Sequence, residues 1–598
     1  MNYKTLVTKG YFPKELPPPF NTEMLGKKCQ LVNTRWAALM VSNSNPKPGE
    51  TTQVARQRFK TDFINKYDNS KLLEYNLAKG IFSRRKLGIP HPKQFIELCQ
   101  ILTSNWDNIK RSLLLEHFSE SSPIFKKSKR AAQTKSISLN NFKFKRIESS
   151  FNKRYELTFD ISQFYPSIYT HSITWAILGK DDAKIYFKKK QQYRNTWASV
   201  VSTDPKAALY DLSDKIDTCV RNCQEKQSIG LPIGPDTSFL IAELIGSRID
   251  NEIWNQIKNI DYCAIRYYDD YYFYVNNYGE AERILKIAQQ VLSEFSLETN
   301  ESKVKIKEMP ISFEKEWTTD ISRYSFTNVS SGEIVTYFSI INNHVEKYPV
   351  DSSWIINYAL SRFEFGNVII SKANWNLFLS LLLGLLKLDP SNIDQFLKIA
   401  LSYNIYSSPI SKKMIGKILH SIIDENLSLN HSFEVSWALW SLKSLEIKCN
   451  SILLNKVLSS SDDISILICL DLIHSRLYTG RKPKISKLSK SINSNDLFSQ
   501  HWLLVYESIK KQWLNPGKRK IIDEHEYFKL LFNRGVEFYN SSRQIEIEFN
   551  MENLLKKVPK PLTSKGSITL QSILKKMAAD KLAALNQQQS STKVKSKY

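Results

Sequence analysis

Cysteine is scarce in this sequence, with seven in 598 residues. The odd count and the absence of framework spacing exclude a disulfide-stapled secreted fold and point to a reducing compartment. Cys219 and Cys223 stand i, i+4 on an expected helix, but no second Cys/His pair is spaced to complete a zinc site, so both are expected in the core. Long apolar runs are missing as well. The longest, "LFLSLLLGLLKL" from Leu377 to Leu388, is too short to span a bilayer and is interrupted by Ser380, Gly384 and Lys387. The opening "MNYKTLVTKGYFPKELPPPF" has no apolar signal-peptide core, and a cytoplasmic protein without membrane contact is expected.

What is present is apolar surface and positive charge. Hydrophobic residues make up 42% and aromatics 12%, ample for large cores, and the length suggests about three or four domains. Lys and Arg number 84 against 59 Asp and Glu, leaving +25. That excess suggests a polyanionic partner, most simply nucleic acid, although solvated surface lysines account for part of it.

The chain changes character along its length. Residues 1–150 are basic and irregular, with a Pro-rich opening and the stretches "FSRRKLGIPHPKQF" and "FKFKRI". Residues 151–330 alternate strand-like and helix-like pieces, closing on a transition that contains "SSGE". Over 345–550, "NWNLFLSLLLGLLKL", "FEVSWALWSLKSLEI", "DDISILICLDLIHSRL" and "SQHWLLVYESIKKQWL" each read as an amphipathic or buried helix. Their recurrence suggests either a degenerate helical repeat of the HEAT kind or a helical bundle. Residues 551–598 carry ten Lys against Glu552 and Asp580 and are expected as a flexible basic tail.

The suggestive chemistry lies in the middle. "CAIRYYDDYYFYV", Cys263–Val275, sets Asp269 beside Asp270 between two strand-like flanks. Asp is a common turn residue, but two adjacent carboxylates repel each other unless a cation sits beside them. Upstream, "YELTFDI" ends a strand-like run at Asp160, and "THSITWAI" begins a helix with Thr170 or Ser172 as candidate N-cap. If the two strands pair, three carboxylates converge and can hold two Mg²⁺ ions about 3.5–4 Å apart for in-line phosphoryl transfer, with Mn²⁺ an alternative. Between them, "SIGLPIGPDTSFLIAELIGSRID" reads as a Gly-Pro-Gly loop entering a helix, where Gly230 and Gly234 allow close backbone approach.

Together these blocks resemble the reverse transcriptase palm. Asp160 with Phe164 and Tyr165 resembles motif A, "GLPIG" motif B, "YYDD" the Y-x-D-D box of motif C, and "LETNESKVKI", with Asn300 and Lys303, motif D. "RRKLGIPHPKQF" is similar to the basic segment before the palm. "FYPSIYTHSITWAILGK" resembles the bacterial abortive-infection reverse transcriptases of the AbiK-like group. The resemblance implies an α+β fold, a right-hand fingers and palm with an antiparallel sheet, followed by an all-α HEAT-like domain in place of the thumb. It implies that Asp160 and Asp269 ligate both metals with Asp270 in support, and that Tyr165 lies under the incoming sugar and excludes a 2′-OH. Lys303 would face the leaving pyrophosphate, Arg84 and Arg85 would contact triphosphate, and Gly234 would border the nucleotide site. Motif B has Ile233 in place of the usual Gln and Glu243 in place of the usual Asn, which weakens the expectation of faithful templating.

The kinship further implies DNA synthesis from dNTPs in anti-phage defence, untemplated or loosely templated, primed from a protein tyrosine so that the DNA product is covalently attached. Tyr598, Tyr3 and Tyr11 are candidate primers. It implies a homo-oligomer, trimer or hexamer, and allows a non-coding RNA partner. No Arg-x₄-His ribonuclease spacing is found in the C-terminal half. The alternatives are an RNA-templated reverse transcriptase of the retron or group II intron kind, and a non-catalytic RNA-binding scaffold.

Overall fold

The computed structural model describes residues 1–545 except 65–66, 68–69, 80–82, 127–129, 136–138, 365–367 and 515. The basic tail expected over 551–598, with Tyr598, lies outside the described residues. Two compact units form. One joins Met1–Lys315 with Ile423–Lys443 and Lys448–Arg543; the other is built from Glu316–Ile422 and Ser444–Ile447.

A four-stranded antiparallel sheet organises the first unit. Its order is Tyr262–Tyr267, Asp270–Val275, Tyr155–Asp160, Lys305–Glu308. Alternation along the two central strands sends Leu157, Phe159, Tyr271 and Phe273 into the core, with Leu157 opposite Phe273 and Phe159 opposite Tyr271. The Phe159 and Tyr271 rings stack at 4.9 Å. Helix Tyr278–Glu294 packs on this sheet and on helix Asp236–Ile257, whose apolar residues enter the same core.

Ahead of the sheet, Leu73–Lys79 and Ser83–Ile89 pair as an antiparallel hairpin. "GIPHPKQF" then starts a helix, because His91 caps Pro92–Ser104 by accepting the Lys93 N–H, with proline in the first turn. The two ends of the first unit are fastened together. The Asn21 N–H donates to the Phe538 carbonyl, the Asn540 N–H donates to the Pro19 carbonyl, and the Trp36 and Tyr527 rings meet edge to face at 5.2 Å.

All four apolar stretches are helices: Trp375–Leu388 in the second unit, and Ser432–Ser444 (its last residue aside), Asp463–His474 and Trp502–Lys510 in the first. The "SSGE" transition is a helix start. Ser330 and Glu333 form a reciprocal capping box on helix Ser331–Lys347. Neither Thr170 nor Ser172 caps the helix Ser172–Leu178; His171 holds that position without a side-chain cap bond. The reason is tertiary, since the Thr170 N–H donates to the Ser228 carbonyl and ties this turn to the glycine loop. All seven cysteines are free thiols, Cys223 buried and Cys219 half-buried. No helix among the described residues is long and apolar enough to cross a membrane.

Candidate active site

The Asp269–Asp270 segment is a tight hairpin. Tyr267 pairs with Asp270, leaving Tyr268 and Asp269 as the turn. Tyr268 sits at φ +55, a left-handed conformation that costs a non-glycine residue about 1–2 kcal/mol. The turn is held from both sides. The Tyr268 N–H donates to the Ser121 hydroxyl, and the Tyr268 carbonyl accepts from Arg266 Nη1, each at 2.8 Å.

Arg266 is wholly buried and anchors an ionic network beneath this turn. Its Nε donates to both Asp250 oxygens at 2.9 and 3.0 Å, and its Nη atoms donate to Glu243 at 3.1 and 3.2 Å. The Ser119 and Ser121 hydroxyls donate to Glu243, and the Tyr271 hydroxyl donates to Asp250. Burial pushes the Asp250 carboxyl up to about 6, against the pull of the guanidinium. Glu243 thus has a different part from the one its place in motif B suggested. It is 1% exposed and faces Arg266, not a template. Sequence reading passed over this trio, although two signals were there: an arginine inside an apolar strand, and Glu243, Gly246 and Asp250 at i, i+3, i+7 on one helix face.

The antiparallel register sets Asp160 directly opposite Asp270, and the Ile161 N–H donates to the Asp269 carbonyl at 3.1 Å. Like charges so placed oppose pairing unless a cation compensates. Lys303 supplies one positive charge, its Nζ donating to Asp160 Oδ2 at 2.5 Å. The segment around Lys303 is positioned by its own pairing: the Ser162 N–H donates to the Glu298 carbonyl, the Asn300 N–H donates to the Asp160 carbonyl, and Lys305–Glu308 joins the sheet. Burial raises the Asp269 carboxyl, the charge of Asp160 adds to this, and Lys303 and Arg85 offset part of it. Burial and the neighbouring Asp269 charge carry Asp270 up to about 6. For Lys303, burial works against the ammonium, but the hydrogen bond to Asp160 and the three carboxylate charges hold it above its ordinary range.

No group of three His, Cys, Asp or Glu side chains among the described residues is gathered closely enough to hold an ion as it stands. The donor chemistry nevertheless suits a hard divalent cation. Three carboxylates lie together at one end of the two central strands, two of them with pKa raised chiefly by burial and further by neighbouring carboxylate charge, and Asp160 Oδ1 is buried without a hydrogen-bond partner.

Beside the carboxylates lies a cavity of about 330 Å³, lined by Arg85, Tyr165, Gly234, Tyr268 and the N-terminal residues Lys14 and Glu15. Of the paired arginines only Arg85 reaches it, because strand alternation turns Arg84 away. Arg84 forms a bidentate pair with Glu434 at 2.7 and 2.6 Å and also holds Asn76. Tyr165 is half-buried, and burial raises its hydroxyl well above the usual range. The glycine loop clasps this segment, since the Leu231 N–H donates to the Tyr165 carbonyl and the Gly230 N–H donates to the Ile168 carbonyl, each at 2.8 Å. Gly234 adopts φ +125, its carbonyl accepts from Arg130, and a Cβ there would lie 2.7 Å from Pro13 Cγ.

Several solved telomerase structures are similar at low identity. Telomerase from Candida tropicalis in the apo form shows 12% identity and a TM-score of 0.28, covering 74% of this chain and 73% of that one. Telomerase from Candida albicans with a fragment of telomeric RNA shows 10% identity and a TM-score of 0.27, covering 62% and 65%. The chain spans about half, 51%, of a C-terminally truncated Candida tropicalis telomerase. No curated protein sequence matches significantly. Residues 96–322 match the family model described as reverse transcriptase (RNA-dependent DNA polymerase); that stretch takes in Asp160, the Gly230–Gly234 loop, the Asp269–Asp270 turn and Lys303, so the carboxylate site lies within the matched reverse transcriptase domain.

Proposed function

We propose that the chain is a DNA polymerase of reverse transcriptase type that joins dNTPs at the Asp160, Asp269 and Asp270 site. The observation that carries this reading is the register of Asp160 against Asp270 with the Asp269 turn beside them, inside the matched domain. Divalent ions held by these carboxylates would supply an activated hydroxyl nucleophile and neutralise charge on the departing pyrophosphate. Lys303 holds a proton at Nζ next to the carboxylates and serves as donor to the leaving group. Arg85 offers a guanidinium to the triphosphate at the cavity wall. Tyr165 lines the same cavity as the wall expected to reject a 2′-OH.

The reading extends to untemplated or loosely templated synthesis in abortive infection, primed from tyrosine, by a homo-oligomer whose distal helices form a HEAT-like array. Resemblance alone supports that extension. Among the primer candidates, Tyr11 is excluded by its surroundings: its hydroxyl is buried and donates to the Pro90 carbonyl at 2.5 Å. Tyr3 accepts a hydrogen bond from Asn33 but keeps partial exposure. An RNA-templated reaction is the second reading, favoured by the RNA-bound similar structure and the basic charge.

Incubation of the protein with each labelled dNTP and Mg²⁺, with and without added RNA, followed by a denaturing gel, separates these readings. Label migrating with the polypeptide in the absence of RNA supports protein-primed, untemplated synthesis, whereas label that needs RNA supports templating. No labelled polymer in either arm refutes the polymerase assignment.

A further inference from the structure

The N-terminal segment Gly10–Glu15 is built into the cavity rather than laid over it. The Asp236 N–H, opening the helix after the glycine loop, donates to the Gly10 carbonyl at 2.7 Å. Tyr11 is fully buried, with its ring stacked on Phe95 at 4.0 Å. The Phe12 carbonyl accepts from Arg130 Nη1 at 2.7 Å, and the same guanidinium reaches the Gly234 carbonyl at 2.9 Å. Pro13 lies against Gly234, and the Glu15 carbonyl accepts from Trp437 Nε1 at 2.8 Å. All the strap's residues but Lys14 are thus held by neighbouring segments, and the Pro13 ring fills the space that Gly234 leaves open.

The consequence lies in the side chains that remain. Lys14 is exposed, Glu15 is half-exposed, and both line the cavity with Arg85, Tyr165 and Tyr268. Neither side chain makes a hydrogen bond or ion pair among the described residues. A carboxylate accepts only and an ammonium donates only, so the pair presents a fixed donor–acceptor code of the kind that tells nucleobase edges apart. A base that docks against these side chains without matching their pattern covers them and leaves them unpaired, which costs affinity.

We propose that Lys14 and Glu15 are specificity-determining residues that read the base of the incoming nucleotide, so that the protein strap sets nucleotide preference. This rests on the polymerase reading above, which places the nucleotide in this cavity. Arg85 and Tyr165 hold the phosphate and sugar ends, and the strap closes the side where Pro13 meets Gly234. The preference then belongs to binding itself and appears without turnover.

The test measures equilibrium binding of the four dNTPs, one at a time, to the full chain and to the variants Glu15→Gln and Lys14→Ala. Thermal melting of each confirms the fold, since both side chains point to the cavity rather than the core. The expected result is unequal affinity for the four dNTPs in the parent protein, with the ratio between best and worst compressed at least about fivefold in one or both variants while mean affinity changes less. Equal affinity for all four dNTPs in the parent, no binding of any, or unchanged ratios in both variants would overturn the proposal. Incorporation of labelled dNTP by the parent, lost in Asp269→Asn, is read in parallel. Loss of the polymerase reading shows there, while loss of the strap's role shows in the binding ratios.

Discussion

Arg266 gives the clearest residue-level test of how the site is held. Replacing it with Met keeps much of its volume but leaves the Glu243 and Asp250 carboxylates buried without their partner. Removing one member of a buried ion network costs about 3–5 kcal/mol, and urea unfolding should show a loss of that order. A loss below about 1 kcal/mol would mean that the network does not hold the hairpin. Asp270 makes stability depend on pH in the opposite sense to an ion-paired carboxylate. Its folded pKa lies near 6, raised by burial and by Asp269, above the usual carboxylate value of about 3.9. The stability it contributes is complete below about pH 4 and is lost as pH climbs through about 6. Asp270→Asn should therefore stabilise the protein at pH 7 in metal-free buffer, by about 1 kcal/mol once partial exposure is allowed for, and flatten the pH 4–6 slope of the melting temperature. An unchanged slope would contradict the crowding of negative charge at this end of the central strands.

Among the elements, the helix Asp236–Ile257 does two jobs on one face. Gly246 sits between Glu243 and Asp250, and a Cβ there would come within 2.9 Å of Arg266 Cζ. In an exposed helix Gly→Ala gains about 1 kcal/mol; here the sign should reverse. Gly246→Ala is expected to lower the chemical denaturation midpoint, and a raised midpoint would show that Arg266 has room to shift. The paired strands around Asp160 and Asp269 and the four apolar helices are local in origin, set by alternation and helical periodicity, so they were readable in one dimension. "SSGE" was read only as a transition, although Ser330 and Glu333 stand at the spacing of the capping box that starts helix Ser331–Lys347. The role of Glu243 was not readable, because its partner Arg266 lies on another element and the pairing exists only after folding. Arg84 and Arg85 make the same point. Adjacent in sequence, they part at the pleat, one to Glu434 and the other to the cavity.

Across the whole molecule, the first unit is discontinuous. The composition change near residue 345 suggests a boundary between palm and helical domain, yet residues 423–443 and 448–543 pack with the first 315. The Leu73–Ile89 hairpin and the N-terminal strap depend on them: the Tyr75 hydroxyl meets Ser436, Arg84 meets Glu434, and Trp437 holds the strap at Glu15. Such long-range closure leaves no trace in local pattern, because it brings together segments at least 350 residues apart. A fragment ending at residue 330 would expose these apolar and charged partners together. It should show no cooperative thermal transition, and a sharp one would mean that residues 1–330 fold without the distal helices.

At every scale the structure serves the carboxylate site at the ends of the two central strands. The most direct measurement is the Mg²⁺-dependent rate of dNMP incorporation by the full chain and by Asp269→Asn, a variant that keeps the turn's shape and removes one charge. The account predicts measurable synthesis by the parent and a loss of at least about 10³-fold in the variant, of the order seen when a charge-stabilising group at a reacting centre is removed. Synthesis at the parent's rate by Asp269→Asn would contradict it.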